Sequence, residues 1–203
     1  MIVNIQYKLK IGSPLHIGSG LGGGIKKMIL KQSDGSFVIP GSTVKGRVRY
    51  YAREFARITK LFSENDVDQA FGQAGNEDKN ARFCAFCDLS SPKKPVFPVR
   101  NGIQICRRTG TTKPHALFNT EVACYEQGEI LQGKIFCSFS EEKEKYIALL
   151  VAALRLFSHL GGSKTTGMGK CTIPMETICV QKNGNAIKDL EEFLLKYWEG
   201  GKE

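Results

Sequence analysis

The spacing of hydrophobic positions changes several times along the chain, and each change marks an element. Residues 2–11 alternate apolar and polar side chains, which predicts a half-buried strand. Residues 12–24 carry glycine at 12, 18, 20, 22, 23 and 24. That is too many for a regular element, and it predicts an irregular loop whose backbone can approach a ligand closely. Residues 28–32 and 36–39 flank Asp34-Gly35, a strong turn dipeptide, and predict a hairpin. Pro40-Gly41-Ser42 then opens a helix with Ser42 in the N-cap position. Val44, Val48, Tyr51, Phe55, Ile58 and Phe62 recur at helical spacing as its core face, while Lys45, Arg49 and Arg53, four apart, form a basic stripe on another face.

Residues 63–100 show no clear period and read as an insertion in which Gly, Asn, Asp, Pro and Lys dominate. Residues 103–107 and 116–124 predict two strands joined by a loop, and Leu131, Gly133, Ile135, Cys137 and Phe139 alternate as a further strand. Ser140 caps a helix whose first turn holds Glu141, Glu142 and Glu144, as the helix dipole favours. Leu150, Leu154 and Phe157 are its apolar face, and Gly161-Gly162 ends it. A second glycine loop, 161–169, precedes a strand over 171–180, and a short helix over 186–198 closes the chain. Leaving out the hairpin and the insertion, the order is strand, helix, strands, helix, strand. That is the order of a single ferredoxin-like or RRM-like α+β domain spanning residues 1–203.

The 203 residues suit one domain with room for insertions. The longest apolar run, 147–157, is interrupted by Arg155 and is too short to span a bilayer. The first residues show no basic-then-apolar signal pattern, so the expectation is a cytoplasmic protein with no membrane partner. Lys and Arg total 29 against 20 acidic residues, a net charge of +9, and this favours polyanionic partners through counterion release. The cysteines number seven, an odd count that argues for reduced thiols rather than a disulfide framework. Cys84 and Cys87 have zinc-knuckle spacing, with Cys106 as a candidate third ligand and His115, Cys124 and His16 as further ones. The other reading is two buried or unpaired thiols. Cys137, Cys171 and Cys179 read as strand core.

Three segments carry a family resemblance: Pro14-Leu15-His16-Ile17-Gly18-Ser19-Gly20, then Ile39-Pro40-Gly41-Ser42-Thr43-Val44-Lys45-Gly46-Arg47-Val48-Arg49, then residues 160–170 with Gly162-Ser163-Lys164-Thr165-Thr166-Gly167 at their centre. A weaker fourth is Arg107-Arg108-Thr109-Gly110-Thr111 with residues 116–122. In this order and spacing the chain resembles the repeat-associated mysterious protein (RAMP) superfamily. Within it, the likeness is to backbone subunits of type III CRISPR effectors, nearest to those of types III-D and VII. The resemblance implies an RRM-like palm with an inserted lid (residues 63–100) and a thumb hairpin (101–125). It also implies partners: crRNA, complementary target RNA, further copies of the chain in a filament, other effector subunits and a separate nuclease.

The resemblance gives RNA-binding roles to His16, Gly18, Ser19, Lys26, Lys27, Ser42, Thr43, Lys45, Arg49, Arg53, Arg107, Arg108, Lys113, Gly162, Ser163, Lys164, Thr165, Thr166 and Lys170. Ser42–Arg49 would aim a helix N-terminus and two cations at a phosphate. Residues 161–170 would form a backbone cradle with Lys164 and Lys170 as counter-charges; the segment lacks Walker spacing, so no nucleotide site is read. His16 would order its loop or touch RNA, and with three histidines in the chain and no evident partner for any, a histidine-based ribonuclease pair is the minor reading. Leu117 and Phe118 are candidate wedge residues of the thumb, or core.

Cutting members of the family place an aspartate shortly before the Ile-Pro-Gly-Ser motif. Here the stretch reads Gly24-Ile25-Lys26-Lys27-Met28, with lysine where the carboxylate is expected, and lysine cannot ligate a metal as a carboxylate does. The expectation is therefore a chain without a catalytic centre. The alternative is a metal-dependent endoribonuclease subunit using Asp34. A general RRM-like binder is disfavoured because the aromatic sheet motif is missing.

Overall fold

The computed structural model describes residues 1–22, 25–72, 83–91, 93–125 and 129–199, with side chains at 20–22, 25–27, 83 and 199 left aside. Strand β1 (Ile2–Ile11) buries Val3, Ile5, Tyr7, Leu9 and Ile11 and turns the intervening residues outward, as its alternation predicts. It is followed by β2 (Gly18–Gly22), β3 (Ile25–Ile29) and β4 (Val38–Ile39). Next come helix α1 (Gly41–Thr59), helix α2 (Glu64–Phe71), β5 (Phe83–Phe86), β6 (Leu89–Ser90), β7 (Val99–Ile105) and β8 (Thr112–Glu121). The chain continues through β9 (Ile130–Ser138), α3 (Lys145–Arg155), β10 (Cys171–Thr172), β11 (Cys179–Lys182), β12 (Asn185–Ala186) and α4 (Leu190–Glu199).

The palm sheet runs β12-β11-β1-β9-β5, with β10 also paired to β1, and every pairing is antiparallel. Numbering its four main strands in chain order as β1, β5, β9 and β11 gives the order 4-1-3-2, with α1 and α3 as the two crossovers. That is the ferredoxin-like arrangement expected. One face packs on the helices: α3 is buried from Tyr146 through Leu154, and Val44, Val48, Ala52 and Ala56 of α1 join it. The other face is open.

A second sheet, β2-β3-β8-β7, stands beside the palm. The thumb hairpin β7–β8 is thus continued by β3, through a parallel pairing of Lys27 with Thr120, and then by the glycine-rich β2. Here the structure corrects the expectation of an irregular loop. Glycines 18, 20 and 22 do form a strand, and its ladder with β3 shifts register twice, which accommodates so glycine-rich a run. The predicted hairpin around Asp34-Gly35 keeps its turn, closed by Gln32 N–H donating to the Ser36 carbonyl at 2.9 Å. Its arms pair antiparallel at Lys31 and Phe37, and beyond that Val38 and Ile39 pair with β6.

Other boundaries move for local reasons. Helix α1 is capped at Pro40, so Ser42 lies in the first turn and caps nothing. The helix stops at Thr59, where Lys60 turns left-handed, leaving Ile58 70% exposed and placing buried Phe62 beyond the helix. Residues 63–100 are not simply an insertion. Ser63 and Asp66 form a reciprocal capping box that starts α2, and β5 is a palm strand. Ser140 leads into a 3-10 turn, Glu141–Lys143, before α3 begins, and α3 ends at Arg155, ahead of the glycines. Pro174 breaks the strand predicted over 171–180 into β10, a short turn and β11. The C-terminal helix starts at Leu190 rather than 186, with Asp189 Oδ1 accepting from Glu192 N–H at 2.9 Å. Cys179 is exposed, whereas Cys137 and Cys171 are core residues.

Candidate nucleic-acid interface

Three segments distant in sequence are stitched together at the end of β1. Gly12 N–H donates to the Lys170 carbonyl, Gly169 N–H to the Pro14 carbonyl and Gly162 N–H to the His16 carbonyl, each at 2.8 Å. Lys170 N–H reaches Ser13 Oγ at 2.8 Å. The base of the thumb joins through a two-way bridge between Leu15 and Ala123, at 2.9 and 2.8 Å. The first glycine segment, the second glycine loop and the thumb base therefore form one unit.

His16 stands at its centre. The residue is 7% exposed, and its Nδ1 lies 2.8 Å from the Glu121 carbonyl oxygen. A carbonyl only accepts, so Nδ1 carries the proton and Nε2 faces the backbone at Gly18. The ring also closes on Gly162, where an added Cβ would stand 3.3 Å from His16 Cδ2. Gly161 has φ +84°, and a side chain there would collide with the His16 carbonyl, so both conformation and space require glycine. His16 thus orders the loops, the first of the two roles expected of it, and its burial leaves little of the ring to meet RNA. Glu121, which sequence reasoning missed, holds the third side of the unit. Its carboxylate pairs with Lys31 and accepts the Ile29 N–H at 3.2 Å, tying β3 to the thumb.

Above this frame the second loop presents Gly162, Lys164, Thr165, Thr166 and Lys170 to solvent, with Ser163 half-buried in a left-handed conformation (φ 56°). Gly18 and Ser19 are exposed beside them. Lys26 and Lys27 lie on β3, and their side chains fall outside the described residues. At the thumb tip Arg107 and Arg108 sit in the turn and Lys113 on β8, all exposed. Ile103, Ile105, Leu117 and Phe118 are also exposed along the hairpin, so Leu117 and Phe118 are wedge candidates and not core.

The basic stripe of α1 is arranged differently from its expected role. Lys45 Nζ donates to the Cys84 carbonyl at 3.0 Å. Arg49 and Arg53 both bind Asp68 Oδ1 on α2, at 2.5 and 3.1 Å, and these bonds, that of Arg49 foremost, hold the Asp68 carboxyl below its usual range. The helix N-terminus is taken as well: Gly41 N–H donates to Asp88 Oδ1 at 2.7 Å. Ser42 is exposed and Thr43 half-buried in that turn. A phosphate at this position would have to displace the Asp88 carboxylate. Asp68 and Asp88 carry no local signal in the sequence, because each acts across more than ten residues. Arg47 is equally committed: it donates to the His159 carbonyl at 2.9 Å and lies over the rings of Tyr50 and Tyr51.

The candidate zinc ligands are not brought together. Cys84 points into the core, its Sγ 3.0 Å from Sγ of Cys137 across the β5–β9 ladder, while Cys87 lies just past β5 and Cys106 at the thumb turn. Among the described residues no group of three or more His, Cys, Asp or Glu side chains converges to hold a metal, so a zinc ion on Cys84, Cys87 and Cys106 does not fit this arrangement. Asp34 is exposed in its turn, and hydrogen bonds from Ser36 lower its pKa.

An antiparallel 4-1-3-2 palm with a glycine-built end and an appended thumb defines an RRM-like α+β protein with a loop-made polar surface. The RAMP superfamily model matches residues 8–172, and the chain belongs to that superfamily. Its fold is similar to chains in two cryo-EM structures of the Type III-B Cmr-beta complex. One, bound to cognate target RNA, gives a TM-score of 0.65 at 12% identity over 84% of this chain and 96% of that one. The other, in the apo state, gives 0.66 at 12% identity over 92% and 98%. No curated protein matches the sequence significantly. No helix among the described residues is long and apolar enough to cross a membrane.

Proposed function

We propose that this chain is the guide-RNA-binding backbone subunit of a type III-like CRISPR effector, and that it polymerises along crRNA and presents it to target RNA without cutting either. The observation that carries this reading is the unit around His16. It ties the first glycine segment, the second glycine loop and the thumb base into one hydrogen-bonded edge, whose outer surface is exposed Ser, Thr, Lys and backbone. Such groups bind phosphate and 2′-hydroxyl without reading sequence, as a subunit repeated along any guide must. The exposed apolar flanks and basic tip of the thumb suit insertion beside a base pair. Family membership and the Cmr-like fold support the same assignment.

Non-cleavage is supported by Lys26 and Lys27 standing where a metal-binding carboxylate is expected, and by the structural engagement of Asp34. Cutting then falls to another subunit or a separate nuclease, in the cytoplasm. Co-expression with neighbouring genes and a CRISPR array tests the assignment: the purified complex should retain guide-length RNA, and Lys164→Ala with Lys170→Ala should lower the RNA retained per chain.

A further inference from the structure

The open face of the palm is lined along β1 by Gln6, Lys8 and Lys10, and along β9 by Ile130, Gln132, Lys134 and Phe136, all exposed. Register sets them in rows: Lys8 opposite Gln132, Gln6 opposite Lys134, and Asn4 opposite Phe136. On the other side of β1, Lys10 lies opposite Thr172, and Gly12 bonds to Lys170. Lys134, Lys8, Lys10 and Lys170 therefore make a track that follows β1 from mid-sheet into the glycine cradle. Successive outward residues on a strand are about 6.6–6.8 Å apart.

None of these four ammonium groups forms an ion pair with a described residue. The palm strands β1, β9, β10, β11 and β12 contain no Asp or Glu. Of the described acidic residues at their ends, Glu129 is buried and held by Ser91 and Lys93, Asp88 accepts the Gly41 N–H, and Glu176 is exposed in the turn between β10 and β11. Phe136, 42% exposed on a central strand, is the one aromatic side chain among the exposed residues of these strands. A cationic track beside an exposed ring on a central strand is what a single-stranded nucleic acid requires, charge for its phosphates and a flat surface for a base.

We infer that RNA leaving the glycine cradle continues across the open palm sheet as a single strand, its phosphates following Lys170, Lys10, Lys8 and Lys134 and one base stacking on Phe136. The inference rests on the reading that the cradle takes RNA. It adds a second surface, distinct from the thumb, for a segment that is unpaired. A lysine track whose ammonium groups form no ion pair with a described residue favours RNA over a second copy of this chain as the occupant.

Fluorescence anisotropy on the full-length chain tests it, using a short labelled oligoribonucleotide able to fill only the cradle and a longer one able to reach the sheet. Phe136→Ala, and separately Lys8→Ala with Lys134→Ala, should each weaken the longer RNA at least about fivefold, since stacking one base is worth about 1–3 kcal/mol. The short RNA should be unaffected, and the melting temperature close to that of the unaltered chain. Loss only with Lys164→Ala in the cradle, at both lengths, would overturn the sheet path and leave the functional reading standing. Absence of binding at either length would overturn both. Protection of β9 amides from hydrogen exchange that depends on protein concentration and not on RNA would assign the face to self-association and overturn the inference.

Discussion

Replacing His16 by alanine separates an organising histidine from an RNA-contacting one. The substitution removes the Nδ1–H donor 2.8 Å from the Glu121 carbonyl and the ring that fills the space between Gly18 and Gly162. Leaving one buried acceptor without its partner costs about 1–3 kcal/mol. Deleting a buried ring adds a cavity term smaller than the roughly 3–5 kcal/mol of a Phe or Trp truncation, because imidazole is smaller and polar. Together these give a loss of about 2–4 kcal/mol, within the roughly 5–15 kcal/mol that holds a domain folded. The variant should therefore fold and melt lower, by about 2–4 °C per kcal/mol for a domain this size. Urea denaturation followed by circular dichroism measures the loss, and anisotropy on the same samples measures RNA affinity. A stability change under about 0.5 kcal/mol together with collapsed RNA binding would refute the organising role, because surface substitutions act on that small scale.

Asp68→Ala should free Arg49 and Arg53, steepening the slope of log affinity against log salt by about 0.7 for each phosphate they then meet. The Asp68 carboxyl is held low by Arg49 and then Arg53, so its stabilising contribution is present above the ordinary carboxylate pKa and fades as pH falls through its lowered folded value. Chemical denaturation across the acid range should show the unaltered chain and the variant converging below about pH 4. Asp88→Ala should strip the carboxylate from the Gly41 N–H, costing about 0.5–2 kcal/mol in urea while leaving the helix N-terminus open to an anion, with RNA affinity unchanged or raised. Purified protein analysed by mass spectrometry for metals should hold no stoichiometric zinc; one equivalent per chain, lost with Cys87→Ser, would contradict the separation of the thiols.

The palm was legible in the sequence wherever one side of an element is buried. The alternation in β1 and β9 and the 3.6-residue period of α1 are properties of the chain itself. β5 was not legible, because Phe83–Phe86 is too short to establish a period and follows a polar stretch, so its CxxC spacing read as a metal knuckle instead of strand core. The glycine strand β2 escaped for a related reason: glycine offers no side chain to alternate, and its pairing is decided by β3. Within the site, the motifs located His16 and the second loop. The partners that decide which cations are free, Asp68 for Arg49 and Arg53 and the Cys84 carbonyl for Lys45, come from other elements and leave no mark near the motif.

The most direct test of the central claim is incubation of the purified guide-loaded complex with end-labelled complementary RNA and Mg²⁺ or Mn²⁺, with and without a candidate separate nuclease. The account predicts tight guide-dependent binding and no products until the nuclease is added. Regularly spaced products from the backbone complex alone would contradict it and return a carboxylate, Asp34 first, to the catalytic role.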